Sequence, residues 1–142
     1  MRWEGLDGVA ERPRVMIEVP RGSFVKRRPD GSRDFVAPLP CPYNYGSVLD
    51  TLAPDGDPFD AIVLGARLER GEIVTMPVRA VMGFVDAGVA DPKLVCAAGP
   101  LTAAQTAGIA GFFRAYARFK SVVNLLRGAG RPTRALGWLD PV

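Results

Sequence analysis

Short apolar runs separated by polar turns occupy the first hundred residues of the chain. The run Val15–Val19 is rich in β-branched residues and ends at Pro20, which predicts a strand. Phe24–Arg28 and Arg33–Ala37 flank a Pro-Asp-Gly-Ser turn, a pattern that predicts a hairpin. Further strands are predicted near Val48–Leu49, over Ala61–Leu64, over Glu72–Val85 with breaks near Pro77 and Gly83, and over Leu94–Ala97.

Past Pro100 the apolar positions change to helical spacing. Thr102 and Gln105 form a capping box, and apolar residues then recur every three or four positions as far as Gly128. We therefore expect one amphipathic helix packed on the strands, with a short terminal strand over Ala135–Trp138. Short strands, long turns and one late helix predict a mainly β protein with α (α+β), a small barrel with its site on one face. At 142 residues, the length predicts a single domain over 1–142.

Composition and charge restrict the classes of function. The net charge of +3 is small, and no long basic run interleaves with aromatic residues, so we expect no nucleic-acid partner. No apolar run approaches the length of a membrane span and no secretory signal is present, which predicts a cytoplasmic protein without membrane contact. Cys41 and Cys96 are predicted to be buried thiols. Because the chain has no histidine, catalysis must depend on carboxylates, lysines, tyrosines or a bound metal.

Two acidic turns concentrate the charge of the chain. Asp55-Gly56-Asp57-Pro58-Phe59-Asp60 places three carboxylates within six residues, in a turn that we expect to point them inward. A second turn runs from Asp86 to Asp91. Crowded carboxylates favour a hard cation such as Mg²⁺, although a solvated acidic turn is the open alternative. Since both turns follow strands, we expect them to converge on one site.

Cations and hydroxyl groups elsewhere are suited to binding phosphate. Glu18 ends the first predicted strand among apolar neighbours, either as a ligand or as an outward-facing acid. Lysine, arginine and tyrosine bind phosphate oxygens, and Mg²⁺ bridges carboxylates to phosphate, so the set fits phosphoryl transfer. The candidates are Lys26, Arg33, Lys93, Tyr45 and Tyr116, which lies four residues before Lys120 on the same helical face.

Four motifs follow one another in a distinctive order. They are Ile17–Ser23 with Lys26, Pro42–Gly46, Asp55–Asp60, and Asp86 with Asp91–Val95. In this order they resemble the soluble family I inorganic pyrophosphatases, whose segments Pro-x-Asn-Tyr-Gly and Asp-Gly-Asp-Pro-x-Asp they match. The resemblance implies an OB-like, five-stranded closed barrel with a flanking helix. It also implies hydrolysis of diphosphate to two phosphates by metal-activated water, with Mg²⁺ as cofactor, in a homo-oligomer.

The same resemblance implies a role for each matching residue. Asp55, Asp60 and Asp91 are expected to hold one Mg²⁺, and Asp60 also touches a second. Asp86 and Asp91 are expected to hold a third, while Asp57 acts as the general base. The remaining roles are phosphate binding by Lys26, Arg33, Tyr45 and Tyr116, orientation of the acids by Lys93, and metal binding by Glu18.

Three positions depart from the family pattern, and we expect them to reduce activity. Arg28 stands where the family has a metal-binding glutamate; it either replaces a metal as a fixed cation or pairs with Glu18 and disables the site. Cys41 replaces a tyrosine. Ala117 replaces a phosphate-binding lysine, and Lys120 either reaches in from the next turn or lies on the surface. The alternatives are therefore a relative that binds diphosphate without turnover, one that accepts another phosphoanhydride, and an oligonucleotide-binding barrel.

Overall fold

β-strands form most of the described chain, and a long helix packs against them. The strands are β1 (Arg14–Val19), β2 (Val25–Arg27), β3 (Arg33–Val36), β4 (Asn44–Val48), β5 (Asp60–Val63), β6 (Ile73–Thr75), β7 (Val78–Asp86), β8 (Val89–Ala90), β9 (Lys93–Cys96) and β10 (Arg134–Trp138). The helix α1 spans Ala103–Leu126. The computed structural model describes residues 3–6, 8–23, 25–27, 33–36, 40–128 and 130–142, with the backbone alone for 25–27 and 33–36.

The main sheet has the strand order β10-β7-β9-β5-β4-β1-β6, with β8 paired to β7. The β5–β9 ladder is parallel, whereas the other ladders of this sheet are antiparallel. β5 begins at Asp60, directly after the first acidic turn, and β9 begins at Lys93, directly after the second. Because parallel strands start at the same edge of a sheet, this pairing brings the two turns together.

The structure differs from the predicted fold in one respect, the closure of the barrel. The hydrogen-bonded path runs from β10 to β6, and no ladder joins these two edges within the described ranges. Pro77 lies between β6 and β7 and has no N–H to continue a ladder, so β6 pairs with β1 while β7 pairs with β9. Val15 of β1 and Val81 of β7 nevertheless share one hydrophobic cluster. In the described part of the chain, the sheet thus wraps around a core without a closing ladder.

Most predicted elements are confirmed, with two corrections at their bounds. The strand expected near Val48 begins earlier, at Asn44, and all five of its residues are buried. The break at Pro77 is present, but the one expected near Gly83 is not, because β7 runs through that glycine. A Cβ on Gly83 would lie 3.1 Å from Leu139 and 3.2 Å from Leu136, so the glycine allows β10 to pack closely. The terminal strand β10 is confirmed.

The two faces of the sheet cover two apolar clusters, as the alternation along a strand requires. Ala61 and Val63 of β5 lie in one cluster, and Ile62 lies in the other, beneath the helix. The predicted capping box of α1 is formed by Thr102 and Gln105. Ile109, Phe113 and Ala117 are the buried residues of the helix and are spaced by four. No helix in the described ranges combines the length and apolar character needed to cross a membrane.

Asn44 and Gly46 show that part of the Pro-x-Asn-Tyr-Gly segment supports the fold. A Cβ on Gly46 would lie 2.1 Å from the carbonyl oxygen of Met16, so only glycine lets β4 approach β1 this closely. The buried Asn44 side chain accepts from the N–H groups of Arg21 and Leu68. It also donates to the carbonyl oxygens of residues 63 and 66. Tyr45 lies between Asn44 and Gly46 in the chain. Its ring lies beside the ammonium group of Lys93.

The basic hairpin is described only through its backbone. β2 and β3 form an antiparallel pair in which Lys26 lies opposite Phe35 and Arg27 opposite Arg33. The predicted hairpin is therefore present. Arg28, with the predicted turn that follows it, lies outside the described residues.

Candidate active site

Lys93 joins the ends of both acidic turns. Its Nζ donates to Asp60 Oδ2 at 2.7 Å and to Asp91 Oδ2 at 2.8 Å. Lys93 and Asp60 are register partners on the parallel strands β9 and β5, and the lysine is only 2% exposed. Burial disfavours the ammonium charge, but the carboxylates of Asp60 and Asp91 outweigh it and hold the pKa of Lys93 well above its usual value. The lysine is therefore a fixed positive charge.

Aromatic rings surround the Lys93 ammonium group. Its Nζ lies 5.0 Å from the ring centroid of Phe84, 5.8 Å from that of Tyr45 and 5.9 Å from that of Tyr116. Tyr45 is buried, and burial together with the nearby Asp60 raises the pKa of its hydroxyl well above the usual value. Tyr45 consequently keeps its proton and remains a hydrogen-bond donor. Tyr116 is half-buried and packs against Phe84 and Phe112.

The first acidic turn leaves two of its three acids exposed. Asp55 and Asp57 are exposed, and only Asp60 is half-buried, in contact with Lys93. The turn is therefore open to solvent at Asp55 and Asp57, although the charge of Asp55 still acts on Asp91. Within the turn, the N–H of Asp57 donates to Asp55 Oδ1 at 3.0 Å, across Gly56 with its φ of 89°.

The carboxylates of Asp55, Asp60 and Asp91 interact electrostatically at this edge of the sheet. Burial raises the pKa of Asp91, and the neighbouring charges of Asp60 and Asp55 raise it against the opposing effect of Lys93. Excess negative charge on carboxylate oxygens is the environment that Mg²⁺ neutralises, so the donor chemistry fits this ion. In the described part of the chain, however, no group of three Asp, Glu, His or Cys side chains is arranged to hold a metal ion.

Glu18 lies on β1, an interior strand of the main sheet. It is 7% exposed, and β1 has neighbours on both sides, so the outward-facing alternative is wrong. Its Oε1 accepts a hydrogen bond from Ser47 Oγ. Ser47 is the register partner of Asp60, which is in turn the partner of Lys93. Glu18 therefore lies on the same side of the molecule as the joined turns.

Asp86, in the second turn, is bound by residues from distant parts of the chain. Its Oδ1 accepts from Asn124 Nδ2 at 2.8 Å and from Thr133 Oγ1 at 3.1 Å. Its Oδ2 lies 3.5 Å from the Nζ of Lys120. Although partial burial acts in the opposite direction, Lys120 and these two hydrogen bonds lower the pKa of Asp86. The carboxylate is therefore a stable anion with partners on both oxygens.

The departures from the family pattern differ in their consequences. Ala117 is 4% exposed and packs in the core, so its small side chain does not open the site to solvent. Lys120 pairs with Asp86, and the surface alternative does not describe it. Cys41 is only half-buried, which corrects its predicted burial; its thiol donates to the carbonyl oxygen of Tyr43, and burial raises its pKa. Cys96 is buried as predicted, with its pKa raised to about 12.

Asn124 and Thr133 were not among the residues that the sequence pattern singled out. Asn124 follows Tyr116 and Lys120 at intervals of four, so the helical spacing contained a signal for it. Thr133 lies after the helix and carries no such signal. Lys26 and Arg33 have described backbones only, and Arg28 lies outside the described residues.

This chain is similar to known proteins in both sequence and fold. The family model described as "Inorganic pyrophosphatase" matches residues 15–107, which include both acidic turns. The inorganic pyrophosphatase of Synechocystis sp. is 28% identical over 146 residues, covering 89% of this chain and 81% of the relative. That of Gluconobacter oxydans is 34% identical over 90 residues, covering 58% of this chain and only 52% of the relative.

A solved structure extends the likeness to the whole fold. The crystal structure of an inorganic pyrophosphatase from Thermus thermophilus matches with a TM-score of 0.74 at 28% identity, covering 99% of this chain and 88% of that one. The helix from residue 108 onward, which carries Tyr116 and Lys120, lies beyond the family-model match but within this structural one. Agreement in the motifs and in the fold establishes that the chain belongs to the inorganic pyrophosphatase family.

Proposed function

We propose that this protein hydrolyses inorganic diphosphate to two phosphates. The observation that carries the proposal is the buried Lys93, which joins Asp60 of one acidic turn to Asp91 of the other. This arrangement collects carboxylates for cations and places a fixed ammonium beside them, which is the charge pattern that a diphosphate and its counter-ions require. All three residues lie inside the segment that matches the family model.

Mg²⁺ is the cofactor that we propose. Asp55, Asp60 and Asp91 would hold one ion, and the mutual effect of these acids on the pKa of Asp91 supports that choice. Glu18 would contribute from the neighbouring strand. When bound, Mg²⁺ neutralises phosphate charge and makes a water molecule more acidic.

The side chains of the chain itself provide the base and the phosphate contacts. Asp57 is exposed in the first turn, and we assign it the role of general base, which takes a proton from the attacking water. The water oxygen then bonds to one phosphorus, the bond from that phosphorus to the bridging oxygen breaks, and two phosphates leave. We assign phosphate binding to Lys26, Arg33, Tyr45 and Tyr116; the last two surround the ammonium of Lys93.

The test is phosphate release from diphosphate by the purified protein, titrated with Mg²⁺. We expect Mg²⁺-dependent release, and a loss of about 10² in kcat or more for Asp57→Asn, because one carboxylate that accepts the proton is removed. Asp140→Asn is the matched control: it removes one exposed carboxylate after β10 and should leave kcat unchanged.

A protein that binds diphosphate without turnover would give a different result. Wild type would then release no phosphate with Mg²⁺ or Mn²⁺, while Asp57→Asn and wild type would bind diphosphate equally. That outcome would reject hydrolysis. Release from another phosphoanhydride, but not from diphosphate, would reject the substrate while keeping the reaction class.

Arg28 requires a separate experiment. We propose that it acts as a fixed cation in place of a metal. Arg28→Glu should then change mainly the Mg²⁺ dependence of phosphate release. A large gain in activity at every Mg²⁺ concentration would instead show that the arginine disables the site.

Assembly and location are also proposals. We propose a cytoplasmic homo-oligomer, whose contacts include the exposed apolar side chains Val122, Leu125 and Leu126 on the second half of the helix. Light scattering after gel filtration measures the mass, and a monomer at micromolar concentration would contradict the assembly.

The small net charge gives no support to a nucleic-acid partner, and unchanged mobility of single-stranded DNA at low salt is expected.

A further inference from the structure

Both oxygens of Asp86 have partners, which distinguishes it from the acids of the first turn. Asn124 and Thr133 donate to Oδ1, and the ammonium of Lys120 lies 3.5 Å from Oδ2. A divalent cation on Oδ2 would lie against that ammonium and would be repelled by it. A cation on Oδ1 would have to displace two hydrogen bonds. The geometry of Asp86 therefore favours a lysine over a metal as its partner.

The partners of Asp86 belong to a network that ties three elements together. Thr133 is 7% exposed, and its Oγ1 accepts from the N–H of Ala87 and from Asn124 Nδ2, both at 3.0 Å. Its carbonyl oxygen accepts from Ser121 Oγ at 2.8 Å. The network thereby links the β7–β8 turn, the helix and the segment before β10. Removing one donor from it leaves a buried polar group less satisfied.

The network directs Lys120 toward the proposed site. Lys120 lies one helical turn after Tyr116, whose ring borders the ammonium of Lys93. Asp86 is also close enough to Lys93 for that charge to lower its pKa. Ala117, between Tyr116 and Lys120 in sequence, faces the core. The helix therefore presents Lys120, and not residue 117, on the side of the acidic turns.

We propose, on the basis of the diphosphatase function proposed above, that Asp86 anchors Lys120 as a phosphate-binding residue and does not act as a metal ligand. Asn124 and Thr133 are the positioning residues that hold Asp86 in this role. An ammonium group has three donors, so Lys120 keeps its contact with Asp86 while it donates to a phosphate oxygen. The second turn accordingly contributes Asp91 alone to cation binding.

Cation binding is the first test, and it requires no turnover. Mn²⁺ is titrated into the protein without substrate and followed calorimetrically. Asp86→Asn should leave the number of bound ions and their affinity unchanged, whereas Asp91→Asn should weaken binding about tenfold or more. If Asp86→Asn loses an ion, or weakens binding as much as Asp91→Asn, Asp86 is a metal ligand and the inference is wrong.

Phosphate binding is the second test, with imidodiphosphate as a non-hydrolysable probe in the presence of Mn²⁺. Lys120→Met should raise its Kd about tenfold, because a charged hydrogen bond is lost. Thr133→Val should raise the same Kd by a smaller factor, and Thr133→Ser, which keeps the hydroxyl, should restore it. The double variant of Lys120→Met and Thr133→Val should bind no more weakly than Lys120→Met alone, because both act through one contact.

These measurements separate the inference from the proposed function. Wild type that releases no phosphate from diphosphate contradicts the function, and the two binding experiments still decide the role of Asp86. If Thr133→Val lowers the melting temperature but leaves the Kd for imidodiphosphate unchanged, the network is structural only. Equal Kd values for wild type and Lys120→Met would likewise overturn the inference.

Discussion

The two acidic turns differ in how their carboxylates are held. In the first, Asp55 and Asp57 are exposed, and the contact between them is a local hydrogen bond across two residues. In the second, Asp86 is bound by a lysine, an asparagine and a threonine from the helix and the segment after it. Two acidic turns of six residues each therefore differ: the first is open, with exposed carboxylates, and the second is locked, with Asp86 bound.

We propose that the two turns have different roles within the site. Exposed carboxylates exchange partners readily, which suits cation binding and proton transfer. A carboxylate that already has two hydrogen bonds and an ion pair is a poor ligand for a further cation and a good anchor for a side chain. Lys93 connects the two turns, because it contacts Asp60 of the first and Asp91 of the second. Variants of these residues break or sharpen the comparison.

The largest effect is expected from the central lysine. Lys93→Met leaves Asp60 and Asp91 without their buried cation, so we expect the free energy of unfolding to fall by about 3–5 kcal/mol. Lys120→Met is the matched control, because its ion pair is more exposed and longer, and it should cost less than about 1 kcal/mol. Urea denaturation measures both. Equal losses would mean that the two ion pairs contribute alike.

The glycines of the two turns provide a second comparison. Gly56 and Gly88 both have positive φ, 89° and 82°, so alanine at either position should cost about 1–2 kcal/mol in unfolding free energy. A Cβ on Gly56 meets nothing within 4 Å, whereas one on Gly88 lies 2.8 Å from Cδ of Arg131. Gly88→Ala should therefore be the more destabilising of the two in urea. The reverse order would contradict a locked second turn.

Acid stability isolates the contribution of Asp86. Its folded pKa is lowered, so its stabilisation is present above the unfolded pKa of about 3.9 and is lost as pH falls through the folded pKa. Asp86→Asn should therefore lose less unfolding free energy than wild type between pH 5 and pH 3. Lys120→Met removes one cause of the lowered pKa, so its loss of unfolding free energy should lie between those of Asp86→Asn and wild type. An acid dependence identical to wild type in Asp86→Asn would contradict the predicted linkage.

Hydrogen exchange should show the smallest and most local difference. The amide of Ala87 donates to the buried Thr133 Oγ1, whereas that of Asp57 donates to a neighbouring exposed carboxylate. We expect Asp57 to exchange quickly and Ala87 slowly. Thr133→Val should accelerate exchange at Ala87 and leave Asp57 unchanged, as followed by NMR. Acceleration at both would indicate a general loss of stability instead of a local one.

Periodicity and turn chemistry were sufficient for most of the fold. The capping box at Thr102 and the helical spacing gave the helix, because both signals lie within a few residues of one another. The mainly β, OB-like fold was predicted correctly, but its closure was not: no ladder joins β10 to β6 in the described part of the chain, because strand pairing depends on which edges meet and not on the strands themselves. The early start of β4 was missed since Asn44 is held by partners about twenty residues away.

The sequence by itself determined the acids, the order of the motifs and the helical stripe that carries Tyr116 and Lys120. It also assigned the family, because motif order is a property of the chain alone. Only the tertiary structure decided which carboxylates are open and which are bound. The physical reason is separation along the chain: Asn124 and Thr133 lie 38 and 47 residues from Asp86, and no local pattern specifies that folding will bring their donors to that carboxylate.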